Sequence, residues 1–316
     1  ELIKRYGGIP IMTTALSLDT DFEKIQRNSL HECVDFVVNE CTVLGGEGPN
    51  GEEDALPIVY NNDNLGRVTR GAALALKSRL LLYAASDLWN TESWAQGYSH
   101  PELFVLNKKD RKERWAEAAA AAKAVIDLSA QAGYGLMPRY TDLGKVYQSP
   151  ELILVRRING NTNTFEKLNF PAGFPNGEGR VTPSQNLVDA YEMTDGGKFD
   201  WNNPVHAANP DPRLALTVYM NGASFQNTTI ETFEGGAHKN IKNGTLTGYY
   251  LRKFVDSNIN LVTGGTSNHP WVIFRISEIY LNYAEALNES DPRNPDVLIY
   301  AHKARGRDDV KMTPIT

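Results

Sequence analysis

The chain has 316 residues, of which 41% are hydrophobic and 22% are charged, and its formal net charge at pH 7 is −6. This composition is ordinary for a globular protein and excludes a disordered or collagen-like chain, and no apolar run approaches the roughly 20 residues of a membrane helix. The acidic balance, without a dense block of Lys and Arg, also argues against a nucleic-acid-binding protein.

The first predicted element is a helix that starts at Ser29 and ends before Gly45. Ser29 followed by Glu32 fits a capping box, and apolar residues then recur every three or four positions. Cys33 and Cys41 fall on this helix, about 12 Å apart along its axis, whereas a disulfide needs Cα atoms within about 7 Å. We therefore predict two buried free thiols and no disulfide.

Two further helices are predicted at 69–88 and 112–129, and both are rich in alanine. The helix at 69–88 is also rich in leucine and is apolar over most of its surface, so we expect it to be buried on more than one side. The alanines of the helix at 112–129 give it a smooth surface for close contact with another helix. A long loop at 90–110 joins them. Loops of this length are usually functional or disordered.

From 131 to 270 the chain becomes irregular and rich in Asn and Gly. A helix is predicted to begin with Thr182 as its cap and to continue to Met193, because Pro follows the cap and Gln lies three residues after it. Short strands are predicted at 152–155, 214–220 and 249–255, and helices return at 273–287 and 297–305.

These elements predict a mainly α fold with a large irregular insertion that contains short strands. We expect a helical part at 1–130, an irregular ligand-binding part at 131–270 and a return to the helical part at 271–316, all within one structural unit.

The sequence contains no HExxH, GxSxG or Walker-type motif, and its six histidines are scattered without an i,i+4 pair. We therefore predict no catalytic residue, no metal site and no cofactor. The oxygens of residues 61–64 could bind a structural calcium ion, but their spacing is not that of an EF-hand, and a turn is the simpler interpretation. A glycosidase needs only two carboxylates, and the 38 Asp and Glu residues leave that class open.

The most suggestive chemistry is a set of aromatic residues in polar loops. An aromatic face can stack on the C–H face of a sugar ring while neighbouring amides and acids bind its hydroxyls, although the same rings could anchor loops or a protein interface. Trp271 opens a helix beside Pro270 and is expected in the core. The predicted ligand-binding residues are Trp94, Tyr98, Phe170, Phe174 and Trp201.

Seven segments together resemble the SusD/RagB family of nutrient-binding outer-membrane lipoproteins, and they occur in the family's order over nearly the whole chain. They are YGGIPI (6–11), GRVTRGAALALK (66–77), LYAAS (82–86), TPSQ (182–185) with DAYEMTDG (189–196), DPRL (211–214), GYYLRK (248–253) and RISEIYLNYAEA (275–286).

This resemblance implies tetratricopeptide-type helical pairs with an irregular binding half. It also implies an outward-facing, lipid-anchored protein of the outer membrane. Such a protein captures oligosaccharide, delivers it to a SusC-type TonB-dependent transporter and acts as the lid of that transporter. The resemblance implies no catalytic activity. The same scaffold could bind peptides instead. A surface glycoside hydrolase and a helical-repeat adaptor for another protein are the remaining alternatives.

The family's signal peptide and lipid-bearing cysteine are not in this sequence, so we interpret it as the central part of a longer protein that would touch the membrane only through an anchor outside this chain. The end also departs from the family pattern: residues 300–307 read YAHKARGR, where the family has an Arg-Ala-Gly-like turn. The packing of the last 20 residues therefore does not follow from the resemblance.

Overall fold

The computed structural model describes residues 1–91, 93–106, 109–143, 146, 148–157, 162–200, 202 and 209–315. Its internal contacts define two compact units, each made of two chain segments. The helical unit consists of Glu1–Gly135 and Phe274–Ala301, and the mixed unit consists of Leu136–Ile273 and His302–Thr316. Residues 302–316 thus group with the mixed unit, whereas the sequence placed them with the helices.

Helices dominate the described part of the chain, and the strands are short, as expected for a mainly α fold. The α-helices are α1 (Leu2–Tyr6), α2 (Leu30–Leu44), α3 (Arg70–Ala85), α4 (Asp87–Asn90), α5 (Arg111–Ala132), α6 (Thr164–Asn169), α7 (Gln185–Asp189), α8 (Pro212–Thr217), α9 (Ile276–Ser290) and α10 (Asp296–Arg305). The strands are β1 (Leu152–Arg156), β2 (Val218–Tyr219), β3 (Ser224–Phe225), β4 (Thr228–Thr229), β5 (Tyr250–Leu251) and β6 (Trp271–Arg275). They form two-stranded sheets that pair β1 with β6, β2 with β5 and β3 with β4.

The start of α2 confirms the predicted capping box. Ser29 Oγ accepts from the Glu32 backbone N–H at 3.2 Å, and the Ser29 N–H donates to Glu32 Oε2 at 2.7 Å. This exchange satisfies donors that would otherwise be unpaired at the helix start. Cys33 and Cys41 are buried free thiols, as predicted.

The core of the helical unit forms where α5 packs against both α3 and α9, and α2 packs against α3. Alanines supply much of the contact surface, and Ala75 and Ala122 are completely buried. On α9, Ile276 and Ile279 are also fully buried, and each contributes roughly 1.5–3 kcal/mol relative to an exposed position. Small side chains on one helix and large ones on its neighbour allow the close approach that the alanine-rich sequence predicted.

Two strands predicted in the mixed unit are shorter in the structure than the sequence indicated. Asp211 Oδ1 accepts from the Arg213 N–H at 2.8 Å and caps α8, so the predicted strand at 214–220 is reduced to Val218–Tyr219. An acidic cap followed by Pro at the first helical position is a helix start, and this local signal prevails over the apolar run that follows. The predicted strand at 249–255 is limited to Tyr250–Leu251, the residues that pair with β2.

Two predicted helix starts were also misplaced. Ser184, not Thr182, caps α7, since its Oγ accepts from the Leu187 N–H at 3.3 Å. The helix ends at Asp189 rather than at Met193, and the Met193 N–H instead donates to the Gly197 carbonyl at 2.8 Å in a turn that follows the helix. The predicted helix at 273–287 begins as strand β6 and becomes helical only at Ile276.

A buried ion pair anchors the end of the chain in the mixed unit. Arg307 donates from Nη1 to Glu151 Oε2 at 2.9 Å and from Nη2 to Glu151 Oε1 at 2.7 Å, and both side chains are buried. Asp309 accepts from the backbone N–H groups of Tyr140 and Thr141 at 2.7 and 3.2 Å. The final segment therefore has a defined place in the fold. Over the described part of the chain, no helix combines the length and the apolar character needed to cross a membrane.

Candidate functional site

Two of the predicted ligand-binding residues lie together on an exposed surface of the helical unit. Trp94 and Tyr98 flank Phe104, with ring centroids 6.5 and 5.5 Å from the Phe104 centroid. Trp94 is 41% exposed and Tyr98 is 58% exposed, so both rings are open to solvent. We call Trp94, Tyr98 and Phe104 the aromatic platform. Phe104 was not singled out from the sequence, although it lies in the same long loop.

Hydrogen bonds hold the loop that carries the platform. Trp94 Nε1 donates to the Leu88 carbonyl at 2.8 Å, which ties the indole to the end of α4. The Leu106 N–H donates to the Trp89 carbonyl at 2.7 Å and closes the base of the loop. The hydrogen bond of the indole holds Trp94 in place, which lowers the conformational entropy that this side chain would lose on binding a ligand.

The third ring of the platform is fixed from behind by the N-terminal segment. The Arg27 guanidinium lies 5.5 Å from the Phe104 ring centroid, and Arg27 Nε donates to the Gly8 carbonyl at 2.6 Å. The Gly8 N–H in turn donates to the Leu103 carbonyl at 2.7 Å. Gly8 can approach this closely because it has no side chain: a Cβ there would lie 2.1 Å from the Asn28 carbonyl oxygen.

A charged acceptor lies in the same loop. His100 Nδ1 and Glu102 Oε1 are 3.0 Å apart, and both residues are exposed. The backbone N–H of Glu102 and the His100 side chain hold the pKa of the Glu102 carboxyl below its usual range. The loop thus combines exposed aromatic faces with an ionised carboxylate that can accept hydrogen bonds from hydroxyl groups.

The structure places Phe170 and Phe174 in the core of the mixed unit. They are 1% and 9% exposed and pack edge-on against Phe225, with centroid distances of 4.8 and 4.6 Å. Neither ring offers a face to a ligand here. The polar, glycine-rich sequence around them suggested a loop surface, but the rings turn inward to fill the space behind the β3–β4 hairpin.

Trp201, the fifth predicted residue, lies outside the described residues. Trp271 was expected in the core and is 66% exposed, so that expectation was wrong. The reason is that Trp271 begins a strand rather than a helix, and it is Phe274 on that strand that is buried.

One polar group in the mixed unit superficially resembles a hydrolase triad. His269 Nε2 lies 2.7 Å from Ser267 Oγ and 2.6 Å from Glu166 Oε1. Both contacts use the same ring nitrogen, whereas a triad needs the acid on one nitrogen and the nucleophile on the other. The imidazole therefore cannot pass a proton from Ser267 while Glu166 orients it, and this arrangement is structural.

Metal-binding geometry was also sought across the parts of the chain that the structure describes. No three His, Cys, Asp or Glu side chains converge there as potential ligands. The oxygen-rich segment 61–64 forms a short 3₁₀ turn, in which Asn64 Nδ2 donates to Asn61 Oδ1 at 2.9 Å.

Comparison with known proteins assigns the family. The sequence model of the SusD family matches residues 150–310, half of the chain, and the chain therefore belongs to that family. No curated protein matches the sequence.

Several solved structures share the fold. A SusD-like protein from Bacteroides fragilis NCTC 9343 is 25% identical with a TM-score of 0.75, and the match covers 100% of this chain and 59% of that chain. A SusD-like carbohydrate-binding protein from the same strain is 21% identical with a TM-score of 0.76, covering 100% of this chain and 57% of that one. A laminarin-binding SusD-like protein is 17% identical with a TM-score of 0.57, covering 100% and 62%. The chain thus spans less than two thirds of the length of these proteins.

Proposed function

We propose that this protein captures oligosaccharide at the cell surface and delivers it to a SusC-type TonB-dependent transporter, acting as the transporter's lid without catalysing a reaction. The observation that carries the proposal is the aromatic platform, on which Trp94 and Tyr98 present exposed faces. Such faces suit the apolar C–H surface of a pyranose ring, and Glu102 provides an acceptor for its hydroxyls.

Family membership supports this proposal, and two structurally similar proteins are described as carbohydrate-binding and laminarin-binding. A lipid anchor in the outer membrane belongs to the same proposal.

The first test is a binding assay of the protein against soluble laminarin, starch, xylan and pectin. Trp94→Ala and Tyr98→Ala should each weaken binding of the preferred glycan about fivefold or more, because an aromatic contact is worth about 1 kcal/mol. Trp271→Ala is the control, since it removes a tryptophan of the mixed unit that is even more exposed than Trp94. Equal affinity in the wild type and both platform variants would contradict the platform.

The same samples distinguish the alternatives. Binding without new reducing ends supports a capture protein, whereas new reducing ends would identify a glycosidase. Binding of peptides but of none of the glycans would agree with the family assignment and would identify the ligand as a peptide. Co-purification of the full-length protein with a large β-barrel partner tests the transporter assignment separately.

A further inference from the structure

A cavity of about 600 Å³ lies in the mixed unit, whereas the aromatic platform belongs to the helical unit. Its volume is within the range of small-molecule binding sites, which is roughly 300–1,000 Å³. The turn of the β3–β4 hairpin forms one wall, and the loop at 257–262 forms the other. The buried ring of Phe225 lies at its base.

The polar groups that line this cavity are mostly neutral. Four are side-chain amides and two are serine hydroxyls, namely Gln226, Asn227, Asn258, Asn260, Ser224 and Ser257. Arg252 is the one charged residue among the described lining residues, and no carboxylate lines the cavity there. Such a set does not suit a metal ion, which needs anionic oxygens, or a phosphate group, which needs several cations.

Amides and hydroxyls each offer both a donor and an acceptor, which is what a ring of neighbouring hydroxyl groups requires. Apolar side chains complete the walls, including Ile259 and Leu261. We infer that this cavity is a second saccharide subsite, which binds two or three sugar units of an oligosaccharide through its amide side chains. The inference rests on the proposed saccharide-binding function but uses residues of a different unit.

The hairpin turn holds its amides in an unusual backbone conformation. Gln226 and Asn227 have φ values of 47° and 62°, in the left-handed region that favours glycine. Two-residue hairpin turns of this kind prefer Asn-Gly, and a Gln-Asn pair keeps two amide side chains at a cost in backbone strain. Residues held in strained conformations tend to occur at ligand-binding positions.

The two walls are tied together, so the cavity is formed before a ligand binds. Gln226 Nε2 donates to the carbonyls of Ser257 at 3.1 Å and Ile259 at 2.8 Å. Asn260 Oδ1 accepts from the N–H groups of Val262 and Thr263 at 2.9 and 3.2 Å, which shapes the second wall.

The remaining two amides have no such structural task. Asn227 and Asn258 are exposed, and their side chains make no hydrogen bond within the described residues. These are the groups that we assign to the sugar hydroxyls. Gln226 and Asn260 act as positioning residues.

Phe170 and Phe174 lie behind the base of the cavity. Both rings pack against Phe225 from behind, and Tyr219 does the same with a centroid distance of 5.3 Å. The two phenylalanines that the sequence suggested as stacking platforms therefore support a cavity rather than contact a ligand.

The experiment measures binding of trisaccharides from laminarin, amylose, xylan and polygalacturonate by titration calorimetry. Asn227→Gly removes one amide and relieves the backbone strain, so the hairpin should fold at least as well as in the wild type. Asn258→Ala removes the other. Each substitution should lower the affinity for the trisaccharide about fivefold. The two substitutions together should abolish measurable binding at the cavity.

Asn243→Gly is the matched control. Asn243 is also exposed in the mixed unit, has a φ of 64°, and does not line the cavity. It should leave the affinity unchanged.

The Trp94→Ala and Tyr98→Ala double variant separates this inference from the proposed platform. Trisaccharide binding that survives in that variant, is weakened about fivefold by Asn227→Gly and is lost with Asn227→Gly and Asn258→Ala together supports the cavity alone. Binding that is lost with the platform variant and unchanged by Asn227→Gly and Asn258→Ala overturns the cavity subsite. Failure of all four trisaccharides to bind the wild type also overturns it.

Discussion

Glu166 is a fully buried carboxylate in the mixed unit, and its environment predicts how the stability of the protein depends on pH. Burial raises the pKa of its carboxyl, but the hydrogen bond and charge of His269 outweigh that effect, and the pKa lies below its ordinary value. A carboxyl with a lower pKa in the folded state stabilises the fold above its unfolded pKa of about 4.3. That contribution is lost as the pH falls through the lower, folded value.

We therefore expect the free energy of unfolding to decrease below about pH 4, and Glu166→Gln to make this decrease shallower. Urea unfolding at a series of pH values between 7 and 3 measures both. Glu234→Gln, at an exposed position of the same unit, is the control and should leave the pH dependence as in the wild type. Identical acid profiles for Glu166→Gln and wild type would show that this carboxyl does not stabilise the fold.

Gly71 illustrates how an element depends on its neighbour. It lies in the first turn of α3, where alanine would normally stabilise a helix by about 0.5–1 kcal/mol. A Cβ at this position would lie 2.2 Å from Tyr134 Oη and 2.8 Å from Tyr134 Cε2. The Tyr134 side chain is hydrogen-bonded to Thr69, which caps α3. The ring therefore cannot move without disturbing the start of the helix.

Gly71→Ala should therefore destabilise the protein by about 1–3 kcal/mol, the usual cost of overpacking. Thermal and urea unfolding measure whether the substitution lowers or raises the free energy of unfolding. In a Tyr134→Ala background the clash is absent, and the same substitution should then be neutral or stabilising. A stabilising effect of Gly71→Ala in the wild-type background would contradict the contact.

The elements that the sequence predicted well are those whose signals are local. Ser29 caps α2 through its own neighbours, and an alanine-rich periodic run such as α5 can be recognised without knowing its partners. The misplaced elements are short and depend on distant residues. Val218, for example, becomes a strand residue by pairing with Leu251, which no local pattern reveals.

The candidate site divides in the same way. Trp94 and Tyr98 were predicted because aromatics in a long polar loop are a visible signal, and both are exposed in the structure. Phe170 and Phe174 carry the same signal but turn inward, because Phe225 and the β3–β4 hairpin lie over them. Burial of a ring in a loop is decided by a distant segment, so composition alone could not separate the two cases.

At the scale of the whole molecule, the chain leaves the mixed unit at Ile273 and returns to it at His302. The returning segment is held by the buried pair of Arg307 and Glu151, and Glu151 Oε2 also accepts from the Met137 N–H at 3.0 Å. The pair therefore joins the end of the described chain to the beginning of the mixed unit. Removing one partner leaves an uncompensated buried charge, which typically costs 3–5 kcal/mol.

Glu151→Gln and Arg307→Met should each lower the free energy of unfolding by about that amount, and the returning segment should exchange its amide hydrogens faster. Replacing both partners together, as Glu151→Leu with Arg307→Met, should cost much less than the sum, because no lone charge remains buried. The exposed pair of Arg180 and Glu178 is the control, and breaking it should cost less than about 1 kcal/mol. Additive losses in the double variant would mean that the two side chains stabilise the unit independently, and the segment after His302 would then be held by its backbone contacts rather than by this ion pair.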